Sequence, residues 1–457
     1  MSTAGWKPAK LDELGFVGRG KSRHRPRNAA FLYGGRYPFF QTGDIKAANF
    51  HLTEYSQTYS DEGLAQSKLW KPGTLCITIA ANIAESAILG IEGCFPDSVV
   101  GFVADPDKAD VRFVKYYMEI LKLQMQSVSR GTTQDNLSLD KLLTFDFLVP
   151  PLPAQRRIAG ILSAYDELIE NSQRRIRLLE AMARALYREW FVHFRFPGHD
   201  NSAGVSNWTA EGRPEGVSSM DGANQNHPRV ASPLGDIPQV WEVTTLRAVT
   251  TKIGSGATPR GGKDAYKTEG IHLIRSLNIY DYSFEFDNLA FIDEQQAAEL
   301  DNVTVEENDI LLNITGASVA RCALALSYML PARVNQHVAI VRADPEKVSP
   351  FYVLDAINSD RRKQQLLALA QGGATREALT KDTISNFEIV LPPRPLMKRY
   401  DEIARGIHRQ REVLLRQIQN LRRTRDLLLP RLLSGQIERI SRLESTSNEL
   451  VMQTKGS

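Results

Sequence analysis

The sequence lacks the residue patterns that mark several large classes of protein. Its 457 residues include only three cysteines, Cys76, Cys94 and Cys322, and they form no Cys-x-x-Cys pair. An odd number of widely spaced cysteines supports neither a disulfide framework nor a zinc ribbon, and it fits a reducing, cytoplasmic location. The most apolar stretch is broken by Asn82 and Glu85, so no membrane-spanning helix and no membrane partner are expected.

Sequence signatures of catalysis and metal binding are also missing. The eight histidines show no metal-ligand spacing such as His-x-x-x-His, and there is no Gly-x-Ser-x-Gly nucleophile elbow. The Asn/Asp-Pro-Pro-aromatic signature of amino-methylating enzymes is absent, because both Pro-Pro pairs follow an aliphatic residue. We therefore expect a non-catalytic protein with no metal site and no cofactor.

One motif for nucleotide binding is present, but its context argues against that function. Residues 15–22, GFVGRGKS, satisfy the P-loop pattern. A P-loop joins a buried apolar strand to a helix, whereas the residues before this motif are charged and include a proline. Pro26 follows closely and cannot lie inside a long helix. A P-loop NTPase is therefore the less favoured hypothesis.

The sequence contains an internal repeat. The segment 130–153 reappears as 372–395 with an offset of 242 residues. Upstream, further segments correspond with offsets of 234 to 239, and the loosest of these pairs is 39–46 with 273–280. Loop insertions between two copies would produce such drift. The pattern predicts a tandem duplication of a unit that is nearly half the length of the chain.

Each copy ends in a long amphipathic helix. Both helices follow a Pro-Pro pair and carry seam residues at alternating steps of three and four. About forty helical residues form a rod of roughly 60 Å, and two such rods are expected to bury their seams against each other. The second seam is more polar, with Arg411 and Arg425 at two positions. The apolar seam residues are Leu162, Tyr165, Ile169, Ile176, Leu179, Leu186 and Trp190 in the first helix, and Ile403, Ile407, Leu414, Leu421 and Leu428 in the second.

The segments around these helices define the domain boundaries. Short β-type runs at 75–80, 98–104, 309–316 and 337–343 and helical patches at 111–125 and 351–370 predict mixed α/β or α+β globular domains. A stretch rich in Gly, Ser, Asn and Pro predicts a linker. We divide the chain into a first globular domain at 1–150, a central helical spacer at 151–197, a linker at 198–234, a second globular domain at 235–392, a distal helical spacer at 393–436 and a polar tail at 437–457.

The net charge of +3 conceals an uneven distribution. Residues 154–195 hold eight basic and five acidic residues, and residues 394–439 hold twelve and five, so the rest of the chain is acidic overall. Within the first domain, however, residues 18–27 carry five basic residues, His24 and no acid. Arginines beside glycines can contact phosphates and guanine edges, although a solvated basic loop is the alternative.

Candidate DNA-binding residues lie in this basic run, in a weaker counterpart at 254–267, in 273–280 and in the loops that open the 130–153 and 372–395 repeats. The repeat loops combine glycine, hydroxyl, amide and guanidinium groups, but plain turns are an almost equal alternative. The candidates are Arg19, Lys21, Ser22, Arg23, His24, Arg25, Arg27, Arg130, Thr132, Thr133, Gln134, Ser255, Thr258, Arg260, Lys263, Arg275, Thr375 and Arg376.

The chain resembles the specificity subunit of type I restriction-modification systems. The resemblance rests on the central region PPLPAQRRIAGILSAYDELIENSQRRIRLLEAMARALYREWFVHFRFPG, on the distal region LPPRPLMKRYDEIARGIHRQREVLLRQIQNLRRTRDLLLPRLLSGQI, and on LGDIPQVWEVTTL at the start of the second domain. It implies an α+β fold in which two target-recognition domains form a tandem pseudo-twofold repeat, separated by two long antiparallel coiled-coil helices.

The same resemblance implies a function. Each domain would read one half of an asymmetric bipartite target in double-stranded DNA, and the helices would dock two DNA adenine methyltransferase subunits. Restriction and translocase subunits would complete the complex. The alternative is a coiled-coil DNA-binding adaptor or repressor that acts without a methyltransferase. The linker at 198–234 departs from the family pattern, because it is longer and richer in Gly and Ser.

Overall fold

A computed structural model of the chain describes residues 5–130, 137–197, 229–286, 288–371 and 377–434. The chain divides into two compact units. Unit 1 is Met1–Arg175 with Leu414–Ser457, and unit 2 is Ile176–Val413. Each unit therefore combines one globular domain with one part of each long helix. In the described part of the chain, no helix is both long and apolar enough to cross a membrane.

Unit 1 combines short strands with helices of very different length. Its strands are β1 (Lys7–Ala9), β2 (Gly15–Arg19), β3 (Tyr33–Phe39), β4 (His51–Leu52), β5 (Gln57–Tyr59), β6 (Leu75–Thr78), β7 (Ser86–Leu89), β8 (Val99–Ala104) and β9 (Phe147–Val149). Its helices are α1 (Thr42–Ala47), α2 (Asp61–Ala65), α3 (Val111–Arg130), α4 (Leu139–Leu142) and the first part of α5 (Leu152–Tyr187).

The centre of unit 1 is a five-stranded sheet in the order β2-β8-β6-β7-β4. All neighbours pair antiparallel except β4 and β7. Successive strand residues face opposite sides of a sheet. Accordingly, Leu75 and Ile77 of β6 belong to the core that contains Phe113 of α3, whereas Cys76 belongs to a second core with Phe40. Both faces are covered, which is why β6 and β7 are buried throughout.

Unit 2 contains more strands. They are β10 (Arg229–Val230), β11 (Ile237–Pro238), β12 (Glu242–Thr245), β13 (Thr250–Ser255), β14 (Ile271–Ile274), β15 (Ile279–Tyr280), β16 (Ser283–Phe284), β17 (Ala290–Ile292), β18 (Ile310–Asn313), β19 (Cys322–Leu324), β20 (Ala332–Val334), β21 (Val338–Ala343) and β22 (Glu388–Leu391). Its helices are α6 (Leu246–Val249), α7 (Glu294–Glu299), α8 (Pro350–Asn358), α9 (Asp360–Gln371), α10 (Lys381–Ser385) and the first part of α11 (Arg394–Leu433).

The main sheet of unit 2 has the order β13-β21-β18-β19, and a three-stranded sheet has the order β17-β14-β20. Four strands of the unit 1 sheet, β2-β8-β6-β7, are connected and paired in the same way as these four. The predicted β-type runs are therefore confirmed as the inner strands of two sheets. The predicted helical patch 351–370 is instead two helices, because the backbone of Ser359 is extended.

Both long helices begin where the Pro-Pro pairs end. α5 starts at Leu152 and α11 at Arg394, as expected from the restriction that proline places on the residue before it. α5 ends at Tyr187, and a π-helical turn follows at Arg188–Val192. Of the predicted seam, Leu162, Ile169, Ile176, Leu179, Trp190, Ile407 and Leu414 are buried, and Tyr165, Leu186, Leu421 and Leu428 are partly buried.

One seam residue was assigned wrongly. Ile403 is 40% exposed, and its neighbour Ala404 is buried instead, together with Tyr400 and Ile407. These buried positions follow each other at steps of four and three, so the periodicity was right but its register was shifted by one residue here. Counting apolar residues favoured the large isoleucine, whereas the core of unit 2 accepts the small alanine.

Within each unit the two helix segments run in opposite directions. In unit 2, Glu180 bonds to Arg411, and the rings of Trp190 and Tyr400 lie 6.1 Å apart. The residue number thus rises along α5 while it falls along α11. In unit 1, Asp166 pairs with Arg425, and further along α5 Gln173 is linked through Asn49 to Arg422.

The structure also revises the predicted end of the linker. Arg229 and Val230, which fall inside 198–234, pair antiparallel with Pro238 and Ile237. Reciprocal backbone hydrogen bonds of 3.0 and 3.2 Å between Ser232 and Gly235 close the turn between these strands. The paired chain of unit 2 therefore begins before the predicted boundary at 235. Residues 198–228 and the predicted tail at 437–457 lie outside the described residues.

Candidate nucleic-acid interface

The P-loop pattern at 15–22 lies mostly in a strand. Gly15–Arg19 forms β2 and pairs with β8 along its whole length. A paired strand does not present the concave row of free N–H groups that binds phosphates in a P-loop. The structure therefore agrees with the sequence argument against nucleotide binding at this motif.

The basic residues follow β2 in a loop, residues 20–27, that is held close to the sheet. The Gly20 N–H donates to the Val99 carbonyl (2.8 Å), and the Lys21 N–H donates to the Phe95 carbonyl (3.1 Å). A Cβ atom at Gly20 would lie only 2.3 Å from the Phe95 oxygen. Glycine is therefore required at this position for the backbone to approach.

Two of the predicted DNA-binding arginines are used to shape this loop. Arg19 donates through Nε and Nη2 to the Asp97 carbonyl (3.0 and 2.7 Å), and Arg27 forms a 2.8 Å ion pair with the Asp97 carboxylate. The basic run contains no acid in sequence, but the fold supplies one from a distant segment. Asp97 thus neutralises part of the positive charge that was expected to contact DNA.

The middle of the loop folds back on itself. Arg25 donates to the carbonyls of Ser22 and His24 (2.7 and 2.8 Å), and the His24 N–H donates to the Gln66 side chain (2.9 Å). Ser22 is buried, with its hydroxyl 3.5 Å from that of Tyr59. This burial removes Ser22 from the exposed candidate surface, which corrects its inclusion among the DNA-binding residues.

Lys21 and Arg23 remain as exposed cations with no hydrogen-bond or ion-pair partner for their side chains in the described ranges. Lys68 lies nearby. Its Nζ is 3.6 Å from the ring centroid of Trp70 and 4.7 Å from that of Phe16, which is 56% exposed. Burial, and then the charge of Lys21, lower the pKa of Lys68. Sequence reasoning missed Lys68 and Phe16, because both lie outside the basic run.

Unit 2 attaches its equivalent loop in the same way. The Gly256 N–H donates to the Val338 carbonyl (2.8 Å), and the Ala257 N–H donates to the Val334 carbonyl (3.0 Å). A Cβ atom at Gly256 would lie 2.1 Å from the Val334 oxygen. The Gly-x-Gly motif at 254–256 therefore spans the end of β13, as the one at 18–20 spans the end of β2.

The side chains of the unit 2 loop are less basic. Ser255 and Arg260 are exposed and Thr258 is half-buried. The Arg275 guanidinium lies 5.4 Å from the Tyr266 ring centroid and donates to the Asn288 carbonyl. The remaining candidates lie outside the described residues. They are the side chains of Arg130 and Lys263 and the residues Thr132, Thr133, Gln134, Thr375 and Arg376.

The loose correspondence between 39–46 and 273–280 has a structural counterpart. Gln41 and Arg275 each follow a strand and precede a helical turn. The Gln41 N–H donates to the Asp44 carboxylate (2.8 Å), and the Arg275 N–H donates to the Asn278 side-chain oxygen (3.0 Å). Both are therefore N-cap positions with the same backbone bond. Gln41 was missed as a candidate, although its alignment with Arg275 was the available signal.

Comparison with known proteins points to one family. Residues 3–181 match the family described as the type I restriction modification DNA specificity domain. The type I restriction enzyme MjaIX specificity subunit of Methanocaldococcus jannaschii is 21% identical, over 94% of this chain and 93% of that protein. The HindI specificity subunit of Haemophilus influenzae is 24% identical, over 93% and 98%. These matches support a specificity subunit of a type I restriction-modification system.

The fold of this specificity subunit also has a solved relative. The crystal structure of the S subunit of a type I restriction-modification system from M. genitalium matches it with a TM-score of 0.59. That match covers 94% of this chain and 97% of the other at 15% identity. The likeness extends over both units, so the mixed α/β architecture with long helices is shared along nearly the whole chain.

The long helices of this specificity subunit carry buried charges in matched pairs. Arg411 is 7% exposed and forms a 2.7 Å ion pair with Glu180 in unit 2. Arg425 pairs in unit 1 with Asp166, which is 1% exposed and also accepts a hydrogen bond from Tyr116. Each polar residue of the second seam thus has a carboxylate partner on the first helix. Removing Arg425 would leave the buried Asp166 unpaired, and removing Glu180 would leave the buried Arg411 unpaired.

Unit 2 contains a second buried carboxylate with different partners. Asp355 of α8 is 1% exposed and accepts a hydrogen bond from the Tyr400 hydroxyl (2.5 Å). Burial raises the pKa of Asp355 to about 7, although hydrogen bonds from Tyr400 and Tyr282 and the charge of Arg184 act in the opposite direction. In the described residues no arginine forms an ion pair with it.

The three cysteines lie in three different hydrophobic cores. Cys76, Cys94 and Cys322 are free and buried, and burial raises the pKa of all three thiols, to about 11 for Cys94 and about 12 for Cys322. Among the residues that the structure describes, no three His, Cys, Asp or Glu side chains lie together as a set of metal ligands.

Proposed function

We propose that this specificity subunit reads an asymmetric bipartite target in double-stranded DNA, with one target-recognition domain in each unit. The observation that carries the proposal is the glycine attachment at Gly20 and Gly256. It holds two loops of different sequence at the same place on sheets with the same strand order. Two domains in tandem, related by a proposed pseudo-twofold, would present different side chains to two different half-sites.

Phosphate contacts would come first from the loop of unit 1. Lys21 and Arg23 are exposed there, and their charge is not neutralised by a neighbouring carboxylate. Phosphate contacts position a protein on the duplex, whereas side chains that reach base edges specify sequence. The folded-back Arg25 and the Asp97-bound Arg19 and Arg27 would mainly fix the shape of the loop.

The long helices would act as an antiparallel coiled-coil spacer between the two half-sites. Their matched ion pairs, Asp166 with Arg425 and Glu180 with Arg411, support one register between α5 and α11. Two DNA adenine methyltransferase subunits and restriction and translocase subunits would dock on this framework. The subunit itself would be non-catalytic, because it supplies recognition to partners that do the chemistry. A cytoplasmic location would suit its free cysteines.

The salt dependence of DNA binding tests the proposed interface. We expect Lys21→Ala with Arg23→Ala to weaken binding and to reduce the slope of log K against log salt by about 0.9 for each lost phosphate contact. The matched control is Arg174→Ala with Arg175→Ala, which removes two exposed cations of α5. The measurement is fluorescence anisotropy at several salt concentrations. The labelled duplex carries the sequence that is methylated in a host expressing this subunit. An unchanged slope, or an equal change in the control, would place the loop outside the interface.

A further inference from the structure

A cavity of about 560 Å³ lies in unit 2, and the proposed function gives it no role. It is bounded by Arg184–Val192 at the end of α5 and the turn after it, by the start of α9, by part of β22 and by residues around 229–237. Its volume falls within the range of roughly 300–1,000 Å³ that is common for pockets that bind small molecules.

Cationic side chains dominate its wall. Five arginines line the cavity, against three aspartates. In the described ranges none of the five forms an ion pair with a carboxylate. The arginines are Arg184, Arg188, Arg229, Arg361 and Arg362, and the aspartates are Asp236, Asp355 and Asp360.

These guanidinium groups keep unused donors. The Arg188 side chain has no hydrogen-bond partner in the described part of the chain. The Arg362 guanidinium lies 4.3 Å from the Phe387 ring centroid, and its Nη2 is buried with no hydrogen-bond partner among the described residues. Arg361 uses one donor, on the Leu234 carbonyl (2.8 Å). A buried donor without a partner costs free energy that a bound acceptor would recover.

The first turn of α9 adds a second source of positive potential. Ser359, Asp360, Arg361 and Arg362 line the cavity, and α9 continues for twelve residues. The first N–H groups of a helix have no intrahelical partner, and the helix dipole places partial positive charge there. The arginines and the helix end together form a site for an anion rather than for a cation.

Aromatic side chains form the other part of the wall. Tyr187, Phe191, Tyr282 and Tyr352 line the same cavity, and the rings of Phe191 and Tyr352 meet edge to face at 4.8 Å. A wall that joins guanidinium groups to aromatic rings suits a ligand with both an anionic group and a flat apolar part.

The internal repeat shows whether the fold of the long helix itself requires these arginines. With the offset of 242 residues, Arg184 and Arg188 of α5 correspond to Asp426 and Pro430 of α11. Both positions lie on the long helix of their copy, yet the second copy carries no cation at either. The fold of the repeat therefore does not require arginine at these two positions.

We propose that this cavity binds an organic phosphate that carries a flat ring and has the size of a mononucleotide. The arginines and the start of α9 would hold the phosphate groups, and the tyrosine and phenylalanine rings would contact the ring of the ligand. The site is separate from the P-loop pattern at 15–22 and goes beyond the proposed reading of DNA.

Isothermal titration calorimetry on the full chain tests the proposal with ADP, pyrophosphate and adenosine as probes. We expect ADP to bind more tightly than either fragment, because only ADP combines phosphates with a ring. Arg188→Met and Arg362→Met should each weaken ADP binding at least tenfold, the loss of a charge-assisted hydrogen bond. Circular dichroism and thermal melting of each variant establish that unit 2 is folded.

Two controls define the site. Lys21→Ala should leave ADP affinity unchanged, which separates the cavity from the P-loop pattern, and Arg174→Met should also leave it unchanged. Absence of ADP binding, equal binding of pyrophosphate, or an equal loss in a control variant would overturn the proposal. Competition by target DNA would overturn it as well, since the cavity would then belong to the DNA interface. DNA affinity is measured separately, so that failure of this site leaves the proposed function intact.

Discussion

The two units of the molecule share a backbone plan but differ in the charged groups that they place on it. Both have a sheet in which four strands follow the same order, and both attach the next loop through a glycine, Gly20 or Gly256. Beyond that glycine, unit 1 continues with Lys21 and Arg23, whereas unit 2 continues with Ala257 and Thr258. The backbone plan is thus separable from the surface chemistry that it carries.

The buried carboxylates of the two units also differ in the groups that contact them. The buried carboxylate of unit 1, Asp166, is neutralised by Arg425 and also bonded by Tyr116. The buried Asp355 of unit 2 is bonded by Tyr400, and burial raises its pKa to about 7. Charge pairing stabilises an ionised carboxylate, whereas burial without an ion pair favours the neutral form. The two units should therefore respond differently to mutation and to pH.

The largest effect is expected when the ion pair of unit 1 is broken. Arg425→Met should lower the free energy of unfolding by about 3–5 kcal/mol, because Asp166 would remain buried without its cation. The double variant Asp166→Leu with Arg425→Met should recover most of that loss. Urea unfolding followed by circular dichroism measures both. The control is Arg394→Met, which removes an exposed pair with Glu346 and should cost less than about 1 kcal/mol. Equal losses in the single and double variants would contradict the assignment.

A smaller effect is expected from the pH dependence of unit 2. The pKa of Asp355 in the folded state is about 7, above its value of about 3.9 in an unfolded chain. The folded state therefore binds more protons between these values, and stability falls as pH rises through this window. Between pH 5 and pH 8 the contribution amounts to roughly 3 kcal/mol.

Asp355→Asn should abolish that part of the pH dependence, since the amide oxygen can still accept from Tyr400 and carries no charge. The measurement is the free energy of unfolding of wild type and variant at pH 5 and pH 8. The difference between the two proteins should grow in favour of the variant as pH rises. Parallel pH profiles would show that Asp355 is ionised throughout this range.

The smallest effects concern the glycine attachment that the units share. Gly20→Ala and Gly256→Ala should each cost about 1–3 kcal/mol, because the added Cβ would meet a backbone carbonyl oxygen at 2.3 or 2.1 Å. Gly43→Ala is the control, since a Cβ there meets nothing within 4 Å. Thermal melting compares the three. Equal tolerance of all three substitutions would show that the close approach does not matter.

Features that depend on local periodicity could be predicted from the sequence. The long helices, their starting points after the Pro-Pro pairs and most seam residues follow from spacing along one element. The exception, Ile403, shows where this method fails. Burial at that turn is decided by packing against the core of unit 2, where Tyr400 and Ala404 are buried, and a periodic count along one helix contains no such information.

Features that depend on distant segments could not be predicted in this way. Asp97 neutralises part of the basic run because β8 follows it and pairs with β2, and Lys68 joins the same surface from a different part of the chain. The partners of Arg411 and Arg425 are also far away in sequence. The sequence therefore showed two arginines in the seam but not the carboxylates that pair with them.

The central claim is that the two units read two separate half-sites. Single-molecule methylome sequencing of a host that expresses this subunit with its adenine methyltransferase tests that claim directly. The account predicts one non-palindromic motif made of two different short half-sites at a fixed separation, with no sequence preference between them. A continuous motif, a palindrome, or the absence of any methylated motif would contradict it.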